Sequence, residues 1–198
     1  MQELLFSELV TLIDAESENL LRIHAEVFVA GGNKHMQIQY FEELPLSEEV
    51  MKGIEELGFR SLFPIQAQAI MPLLRGNDVI GQAQTGTGKT AAFGIPMIER
   101  LNPKVKSVQG LILEPTRELA IQVAQHISQL SKYVPFNVLP IYGGESIQNQ
   151  IYALGNGVQI VVGTPGRIID HLKRRTLNLA SVRIVVVDEA DRMLDMGF

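Results

Sequence analysis

Residues 83–90 read Ala-Gln-Thr-Gly-Thr-Gly-Lys-Thr, and this stretch decides the fold. It follows a short apolar run, Val79-Ile80, and leads into a run that is compatible with a helix. Gly86 and Gly88 allow the backbone to curl with its amide hydrogens pointing inward, at the positive end of the following helix. Such a nest binds polyphosphate, so the stretch predicts a loop that holds the phosphates of a nucleoside triphosphate.

Two residues at the end of this loop add the groups that a triphosphate requires. Lys89 supplies a mobile cation for the β- and γ-phosphates, and Thr90 offers a hydroxyl to Mg²⁺. The usual pattern begins with glycine, whereas this chain has Ala83, so a flexible loop with incidental glycines is the alternative interpretation. The position between a strand pattern and a helix pattern favours the phosphate loop. The predicted ATP contacts are Ala83, Gln84, Thr85, Gly86, Thr87, Gly88, Lys89 and Thr90.

The amino-acid composition excludes several classes of protein and limits how a nucleic-acid partner could be bound. With 198 residues, of which 46% are hydrophobic, the chain fits one domain with an appendage and has enough apolar residues for a core. The absence of cysteine excludes disulfides and thiolate metal sites and favours the cytoplasm. No apolar run is long enough to span a membrane. Because the net charge is −5, nucleic acid would have to be bound by a local patch rather than by an overall positive field.

The first 35 residues differ in character from the rest of the chain. Apolar residues at helical spacing predict two short helices there, at residues 5–13 and 20–23, and Gly31-Gly32-Asn33 then breaks the pattern. We predict a boundary before Met36, with residues 1–35 as a leader or upstream extension of uncertain origin. A native docking helix is the alternative.

From Phe41 onward, helix and strand patterns alternate. Helices are predicted at 47–57, 64–74, 89–101, 117–133, 146–154 and 167–173, and strands at 79–80, 110–113, 138–142, 159–162 and 183–187. Strands that are continuously apolar and separated by helices indicate an α/β fold, with a mostly parallel sheet covered by helices on both faces. Ligands of such sheets bind beyond the carboxyl ends of the strands.

An acidic segment after the last predicted strand is the second half of the expected ATP site. Asp188-Glu189-Ala190-Asp191 follows Ile184-Val185-Val186-Val187 directly. Asp188 can hold Mg²⁺ through water, and Glu189 can act as general base on the attacking water, although a solvated turn is the alternative. We expect this segment and the phosphate loop to meet at neighbouring strand ends. The remaining candidate ligands, His24, His126 and His171, show no ligand spacing and are predicted at the surface or on helices.

These stretches together resemble the DEAD-box RNA helicases over residues 36–198. Residues 58–66 are similar to the Q motif of that family, with Phe41 as its upstream aromatic residue. Residues 115–120 resemble motif Ia, Gly143-Gly144 resembles the GG motif, and residues 164–167 resemble motif Ib. The order and the spacing of six motifs carry the resemblance.

The resemblance implies a RecA-like P-loop domain that binds ATP with Mg²⁺. Gln66 has an amide donor and an acceptor, so it can read the adenine edge. Phe41 or Phe59 would stack near the base, although Phe59 can also be interpreted as a core residue. The catalytic residues would be Lys89, Asp188 and Glu189, with Thr90 and Asp188 as the metal ligands.

The resemblance also implies one strand of RNA as partner, bound through its backbone without sequence preference. Asp191 would couple this RNA site to the ATP site, although it can also be interpreted as an acid at a helix N-terminus. For Arg117 and Arg167, the alternative to RNA contact is a salt bridge at the start of a helix. The implied RNA contacts are Pro115, Thr116, Arg117, Gly143, Gly144, Thr164, Pro165, Gly166 and Arg167.

The chain departs from the family at its end. The sequence stops at Phe198, before the Ser-Ala-Thr motif and the second RecA-like domain with its arginine fingers. We therefore expect an incomplete domain that lacks a strand between those of the phosphate loop and of Asp188. Because an arginine finger is worth ~10³–10⁵ in rate, the chain alone is expected to hydrolyse ATP slowly. An RNA clamp, a DNA helicase and an inactive interaction module are the alternative functions.

Overall fold

The computed structural model describes residues 25–29, 38–84 and 86–196, with residues 25–29 described as backbone. The helices predicted at 5–13 and 20–23 lie outside these ranges, as do the glycines at 31 and 32 and Thr85 of the phosphate loop. The chain divides into two compact units. The phosphate-loop unit includes Ile23–Leu101 and His126–Pro135, and the four-strand unit includes Asn102–Gln125 and Phe136–Phe198.

The phosphate-loop unit is built on two parallel strands. Its elements are β1 (Ala25–Val29), a 3₁₀ turn (Phe41–Glu43), α1 (Glu48–Glu56), α2 (Pro64–Arg75), β2 (Asp78–Gln82) and α3 (Lys89–Arg100). β1 pairs with β2 from Ala25 opposite Asp78 to Val29 opposite Gln82. Ser47 caps α1, because its Oγ accepts from the backbone N of Val50 at 3.4 Å. β1 was not predicted, and the domain boundary before Met36 stays a prediction.

The four-strand unit contains a parallel sheet whose strand order is β4-β5-β3-β6. Its strands are β3 (Gly110–Leu113), β4 (Val138–Ile141), β5 (Ile160–Gly163) and β6 (Ile184–Val187). Its helices are α4 (Arg117–Leu130), which continues into the other unit, α5 (Ile147–Gly155), α6 (Pro165–Lys173) and α7 (Ala190–Asp195). Every residue of β3 and β5 is buried, as their continuous apolar sequences predict.

Two predicted helix boundaries are wrong by two or three residues. The helix predicted at 117–133 ends at Leu130, because the chain turns at Ser131, whose Oγ donates to the Ile127 carbonyl at 2.9 Å. The helix predicted at 167–173 begins at Pro165, which occupies its first turn, where the missing N–H costs nothing.

The strand order bears on the expected gap in the sheet. β2 pairs with β1, whereas β6 pairs with β3, so the two strands that precede the phosphate loop and Asp188 belong to different sheets. A further strand between them stays a prediction. None of the helices in the described part of the chain combines the length and the apolar character that crossing a membrane requires.

Candidate functional site

The phosphate loop lies at the start of a long helix and needs its glycines. Gly86 has φ +79° and Gly88 has φ +81°, a region that other residues rarely adopt. Gly88 is the cap of α3, which has 12 residues. Apart from its two neighbours in the chain, none of the described residues has an atom within 4 Å of the point where a Cβ on Gly86 would stand, so this side of the loop is open among them. The Thr87 hydroxyl donates to the Gln84 carbonyl at 2.6 Å and braces the turn. The loop thus has room and backbone geometry for phosphate.

Gln66 connects the start of α2 to this loop. Its Oε1 accepts from the backbone N of Phe63 at 2.9 Å, and its Nε2 donates to the Gly88 carbonyl at 3.1 Å. The side chain is only 1% exposed. A Cβ on Gly88 would stand 3.0 Å from the Phe63 ring and closer still to the Gln66 amide, so glycine permits this approach. The oxygen and the nitrogen of the Gln66 side chain each form a hydrogen bond within the protein. The contact of Gln66 with adenine stays a prediction.

The two phenylalanines predicted near the base pack on each other. Phe41 is 1% exposed, and its ring stacks on that of Phe59 at 6.3 Å between centroids with 19° between the planes. The edge of His126 meets Phe59 at 6.1 Å, and burial lowers the pKa of His126. Phe59 therefore has the core contacts of its alternative interpretation. The aromatic residues that are exposed nearby, Tyr40 and Phe63, were not singled out from the sequence.

The acidic segment follows β6 with a sharp change of backbone direction. The backbone N of Asp188 donates to the Leu113 carbonyl at 3.1 Å, which extends the β3–β6 ladder by one bond. Glu189 has φ 46° and ψ 46°, a left-handed conformation that is strained for a side chain of this size. Its Oε2 lies 3.1 Å from Nη1 of Arg192, and its side chain is 15% exposed. Asp191 lies in the first turn of α7, as its interpretation as an acid at a helix N-terminus requires, and its coupling role stays a prediction.

The phosphate loop and the acidic segment belong to different units, so their meeting at one site stays a prediction. The Thr90 hydroxyl and the Asp188 carboxylate are oxygen donors of the kind that Mg²⁺ prefers. Within the described ranges, no cluster of three or more histidine, aspartate or glutamate side chains could hold a metal ion by itself.

The residues predicted to contact RNA lie at the carboxyl ends of the strands of the four-stranded sheet. They follow β3, β4 and β5, which are parallel and in register at their carboxyl ends, where Leu113 and Ile141 both pair with Gly163. We call the segments that follow these strands, residues 114–117, 142–146 and 164–167, the carboxyl-edge surface. Backbone bonds join them to the neighbouring strands: Glu114 N donates to the Gly163 carbonyl at 2.9 Å, and Thr164 N donates to the Ile141 carbonyl at 3.0 Å.

Arg117 and Gly144 meet within this surface. The guanidinium of Arg117 lies 4.9 Å from the centroid of the Tyr142 ring, a cation–π contact. Gly144 has φ +86°, and a Cβ there would stand 3.1 Å from Nη1 of Arg117. The Thr116 hydroxyl accepts from the backbone N of Leu119 at 3.3 Å and so caps α4. The predicted motif residues that follow β3 and β4 are therefore neighbours, although they are far apart in sequence.

Arg167 is held by groups that the sequence did not single out. Its Nη1 and Nη2 donate to the Glu145 carbonyl at 3.2 and 3.3 Å, and Nη1 also donates to Oε1 of Gln150 at 3.1 Å. The same oxygen lies 3.0 Å from Nε2 of His171. His171 lies on a helix as predicted and is fully buried. The signal that could have revealed both residues is a polar side chain on the apolar stripe of an amphipathic helix.

The comparisons with known proteins agree with one another. A family profile described as DEAD/DEAH box helicase matches residues 63–198. The protein named DEAD-box ATP-dependent RNA helicase CshA from Geobacillus kaustophilus is 58% identical over 158 residues, which make up 80% of this chain and 34% of that protein. Its namesake from Bacillus subtilis is 53% identical over 80% of this chain and 32% of its own length. The chain thus spans about a third of the length of these curated relatives.

A solved structure supports the same assignment at the level of the fold. The crystal structure of a DEAD box protein from the hyperthermophile Methanococcus jannaschii matches with a TM-score of 0.78 at 46% sequence identity. The match covers 81% of this chain and 44% of the other chain. The α/β fold with its parallel sheet, predicted from alternating helix and strand patterns, is confirmed.

Proposed function

Because the chain belongs to the DEAD/DEAH box helicase family, we propose that it is the N-terminal, ATP-binding half of an ATP-dependent RNA helicase. The observation that carries the proposal is the carboxyl-edge surface, where Arg117, Gly144 and Arg167 come together from three motifs. The phosphate loop at the start of α3 supports the nucleotide half of the proposal. The names of the relatives, which are ATP-dependent RNA helicases, support both halves.

The phosphate loop would bind the triphosphate of ATP through its backbone amides. Lys89 would compensate the charge on the β- and γ-phosphates, and Gln66 would read the adenine edge beside Phe41 or Phe59. The remaining loop contacts would come from Ala83, Gln84, Thr85, Gly86, Thr87 and Gly88. Mg²⁺, which neutralises phosphate charge when bound, would be held by Thr90 and Asp188. The open space beside Gly86 supports this use of the loop.

Glu189 would accept the proton of the attacking water. Its Oε2 lies 3.1 Å from Nη1 of Arg192, which orients the carboxylate, and its low exposure shields it from bulk solvent. Phosphoryl transfer needs little covalent help from the protein, so positioning and charge supply most of the rate. We propose that a second RecA-like domain contributes an arginine finger, without which turnover is slow. A cytoplasmic location is proposed from the cysteine-free sequence.

The carboxyl-edge surface would bind one RNA strand by its sugar-phosphate backbone. Arginine supplies charge, hydroxyls and amides donate to phosphate oxygens, and glycine lets the strand approach closely. Such local donors suit a chain whose net charge is −5. Asp191 would couple this surface to the ATP site. The proposed contacts are Pro115, Thr116, Arg117, Gly143, Gly144, Thr164, Pro165, Gly166 and Arg167.

The test is RNA-stimulated ATP turnover by the full-length protein, together with binding of a fluorescent ATP analogue. Lys89→Ala is expected to weaken ATP binding by at least about tenfold, because it removes a charge-assisted contact to phosphate. Lys104→Ala, which removes an exposed lysine outside the loop, is the matched control and should bind ATP as the wild type does.

The outcomes separate the alternatives. RNA stimulation of turnover supports the helicase. Equal stimulation by DNA of the same sequence indicates a DNA helicase, and ATP binding without stimulation indicates an RNA clamp. Unchanged ATP affinity in Lys89→Ala would contradict the proposed nucleotide site.

A further inference from the structure

Two buried polar side chains lie beneath the carboxyl-edge surface and have no role in the proposed function. Gln150 is 2% exposed on α5, and His171 is fully buried on α6. Each occupies the apolar stripe of its helix, where Ile147 and Leu154 flank Gln150, and Ile168 and Leu172 flank His171. An apolar side chain would be the default at such positions, because a buried polar group is costly unless it is fully hydrogen-bonded.

Gln150 uses both ends of its amide to hold the loop after β4. Its Nε2 donates to the Tyr142 carbonyl at 3.0 Å and lies 3.4 Å from Oε2 of Glu145. Since both partners accept, the nitrogen must face them, and this fixes the orientation of the amide. Its oxygen consequently faces Nη1 of Arg167 at 3.1 Å and Nε2 of His171 at 3.0 Å. One side chain therefore joins the residues on either side of Gly143-Gly144 to Arg167.

His171 fixes Gln150 from the other side. Because the oxygen of Gln150 can only accept, Nε2 of His171 must carry the proton. Nδ1 of His171 lies 2.9 Å from the hydroxyl of Thr176, which also lies 3.1 Å from the His171 carbonyl. The imidazole thus has a partner at each nitrogen, and its ring orientation is determined by α6 and the turn that follows it.

Arg167 gains most from this arrangement. Its guanidinium is held at three points, two on the Glu145 carbonyl and one on Gln150. A free arginine side chain has many rotamers, and ordering such a side chain on binding costs affinity. An arginine that is already ordered avoids that cost when it meets a phosphate.

We propose that Gln150 and His171 are positioning residues for RNA binding, which hold Arg167 and the Gly143-Gly144 turn in the arrangement that meets the RNA backbone. This inference rests on the proposed function of the carboxyl-edge surface. Neither side chain touches the RNA, and each acts through Arg167 and the loop at 142–145.

The test compares two buried glutamines. Gln150→Met keeps the size of the side chain and removes its hydrogen bonds. Gln159→Met is the matched control, because Gln159 is also 2% exposed and also holds loops, through the Val105 carbonyl at 3.0 Å and the backbone N of Asn137 at 2.9 Å. Gln159 precedes β5 and so lies at the opposite end of the same sheet.

We expect Gln150→Met to weaken binding of a short fluorescent single-stranded RNA about two- to tenfold, the effect of one freed flexible side chain. ATP affinity should not change. Gln159→Met should lower the unfolding temperature without changing RNA affinity. Amide hydrogen exchange in residues 142–146 should rise in Gln150→Met and not in Gln159→Met, a readout that needs no RNA.

A double-mutant cycle with Arg167→Ala shows through which residue Gln150 acts. We expect the combined loss of RNA affinity to be smaller than the product of the two single losses. If the two losses multiply, or if Gln150→Met weakens binding no more than Gln159→Met does, the positioning proposal is wrong. If Arg167→Ala itself leaves RNA affinity unchanged, the proposed function of this surface fails, and the positioning proposal fails with it.

A second pair of variants covers the case in which Gln150→Met does not fold. His171→Gln keeps an N–H donor for Gln150, whereas His171→Phe removes it. RNA affinity retained in the first variant and lost in the second supports the proposal. Equal RNA affinity in the two variants overturns it.

Discussion

At the scale of single residues, two arginines reach the carboxyl edge of the sheet in different environments. Arg117 lies over the face of Tyr142, whereas Arg167 is held by a carbonyl and by Gln150. Ring contacts allow a guanidinium to slide, whereas hydrogen bonds to fixed partners define its position. In the proposed function, the two arginines would therefore offer RNA one adaptable and one ordered cation.

Gly144→Ala is expected to disturb Arg117. The new Cβ would stand 3.1 Å from Nη1 of Arg117, at a residue whose φ is +86°, so the change costs about 1 kcal/mol of stability and moves the guanidinium. RNA affinity should fall about two- to tenfold, as measured by fluorescence anisotropy.

Gly157→Ala controls for the backbone strain of that change. Gly157 has φ +88°, and the nearest atoms to its added Cβ belong to the flexible side chain of Lys106. It should lose similar stability and keep the RNA affinity of the wild type. Equal affinity losses in the two variants would contradict the specific role of Gly144.

Stability should fall as the pH drops below 6.5. Burial, reinforced by the charge of Arg167, lowers the pKa of His171, and burial also lowers the pKa of His126. Asp170 opposes the shift at His171 and Arg174 adds to it. Because both pKa values are lower in the folded state, the unfolded chain binds protons first as the pH falls from 6.5 towards the folded values.

Urea unfolding at several pH values measures this loss. His171→Gln should remove one part of the pH dependence between pH 6.5 and the range in which carboxylates titrate, and His126→Gln should remove another part. A wild-type stability that stays constant across that window would show that neither histidine titrates differently on folding.

Motif spacing predicted which residues lie at the carboxyl edge, because each motif follows an apolar strand. It could not predict Gln150 or His171, whose roles arise from contacts between α5 and α6. Nor could it predict the left-handed backbone of Glu189, which depends on how the chain leaves β6. The local sequence predicts where the strands end. The conformation and the hydrogen bonds of the side chains there depend on tertiary contacts.

At the scale of elements, apolar runs predicted β3, β5 and β6 to within about one residue, because a continuously apolar run of four or five residues is typical of a parallel strand. Helix ends were less predictable. α4 ends at Leu130 because the chain tightens there into a turn, in which the backbone N of Lys132 donates to the Gln129 carbonyl at 3.2 Å, a choice that propensity alone does not make. The tertiary partner of β1 is β2, far along the chain, and no local pattern identified it.

Gly163→Ala tests how closely α6 packs on β5. An added Cβ would stand 2.5 Å from Cδ1 of Ile168 and 2.9 Å from the carbonyl oxygen of Ile141. Since the Ile141 oxygen is part of the backbone, it cannot move away cheaply, and the variant should lose about 1–3 kcal/mol in urea unfolding.

Gly155→Ala is the control for that packing test. It places the same methyl group at the end of α5, where no other part of the described structure comes within 4 Å, and should be neutral or slightly stabilising. An equally stable Gly163→Ala would mean that α6 shifts without cost.

At the scale of the whole molecule, the net charge bears on the proposed RNA binding. With a net charge of −5, the salt dependence of RNA affinity should reflect a few local cations rather than the overall field. For single strands, each neutralised phosphate contributes about 0.7 to the slope of log K against log salt concentration. Arg117→Ala and Arg167→Ala should each reduce the slope by about that amount.

Arg183→Ala is the control for the salt titration. Arg183 is exposed and precedes β6, so it lies at the amino ends of the strands, opposite the carboxyl-edge surface. It should leave the slope as it is. A slope that responds equally to all three variants would indicate that RNA is attracted by the general field and not by the two edge arginines.

Because β1 pairs with β2 in parallel, it occupies the backbone hydrogen-bonding groups along one side of β2. A strand accepts a single hydrogen-bonded neighbour on each side, so residues 25–29 and any other strand compete for that place. Another strand can pair with this side of β2 only after it displaces residues 25–29. The free energy of the five residue pairs between β1 and β2 is therefore the cost that the new pairing must exceed.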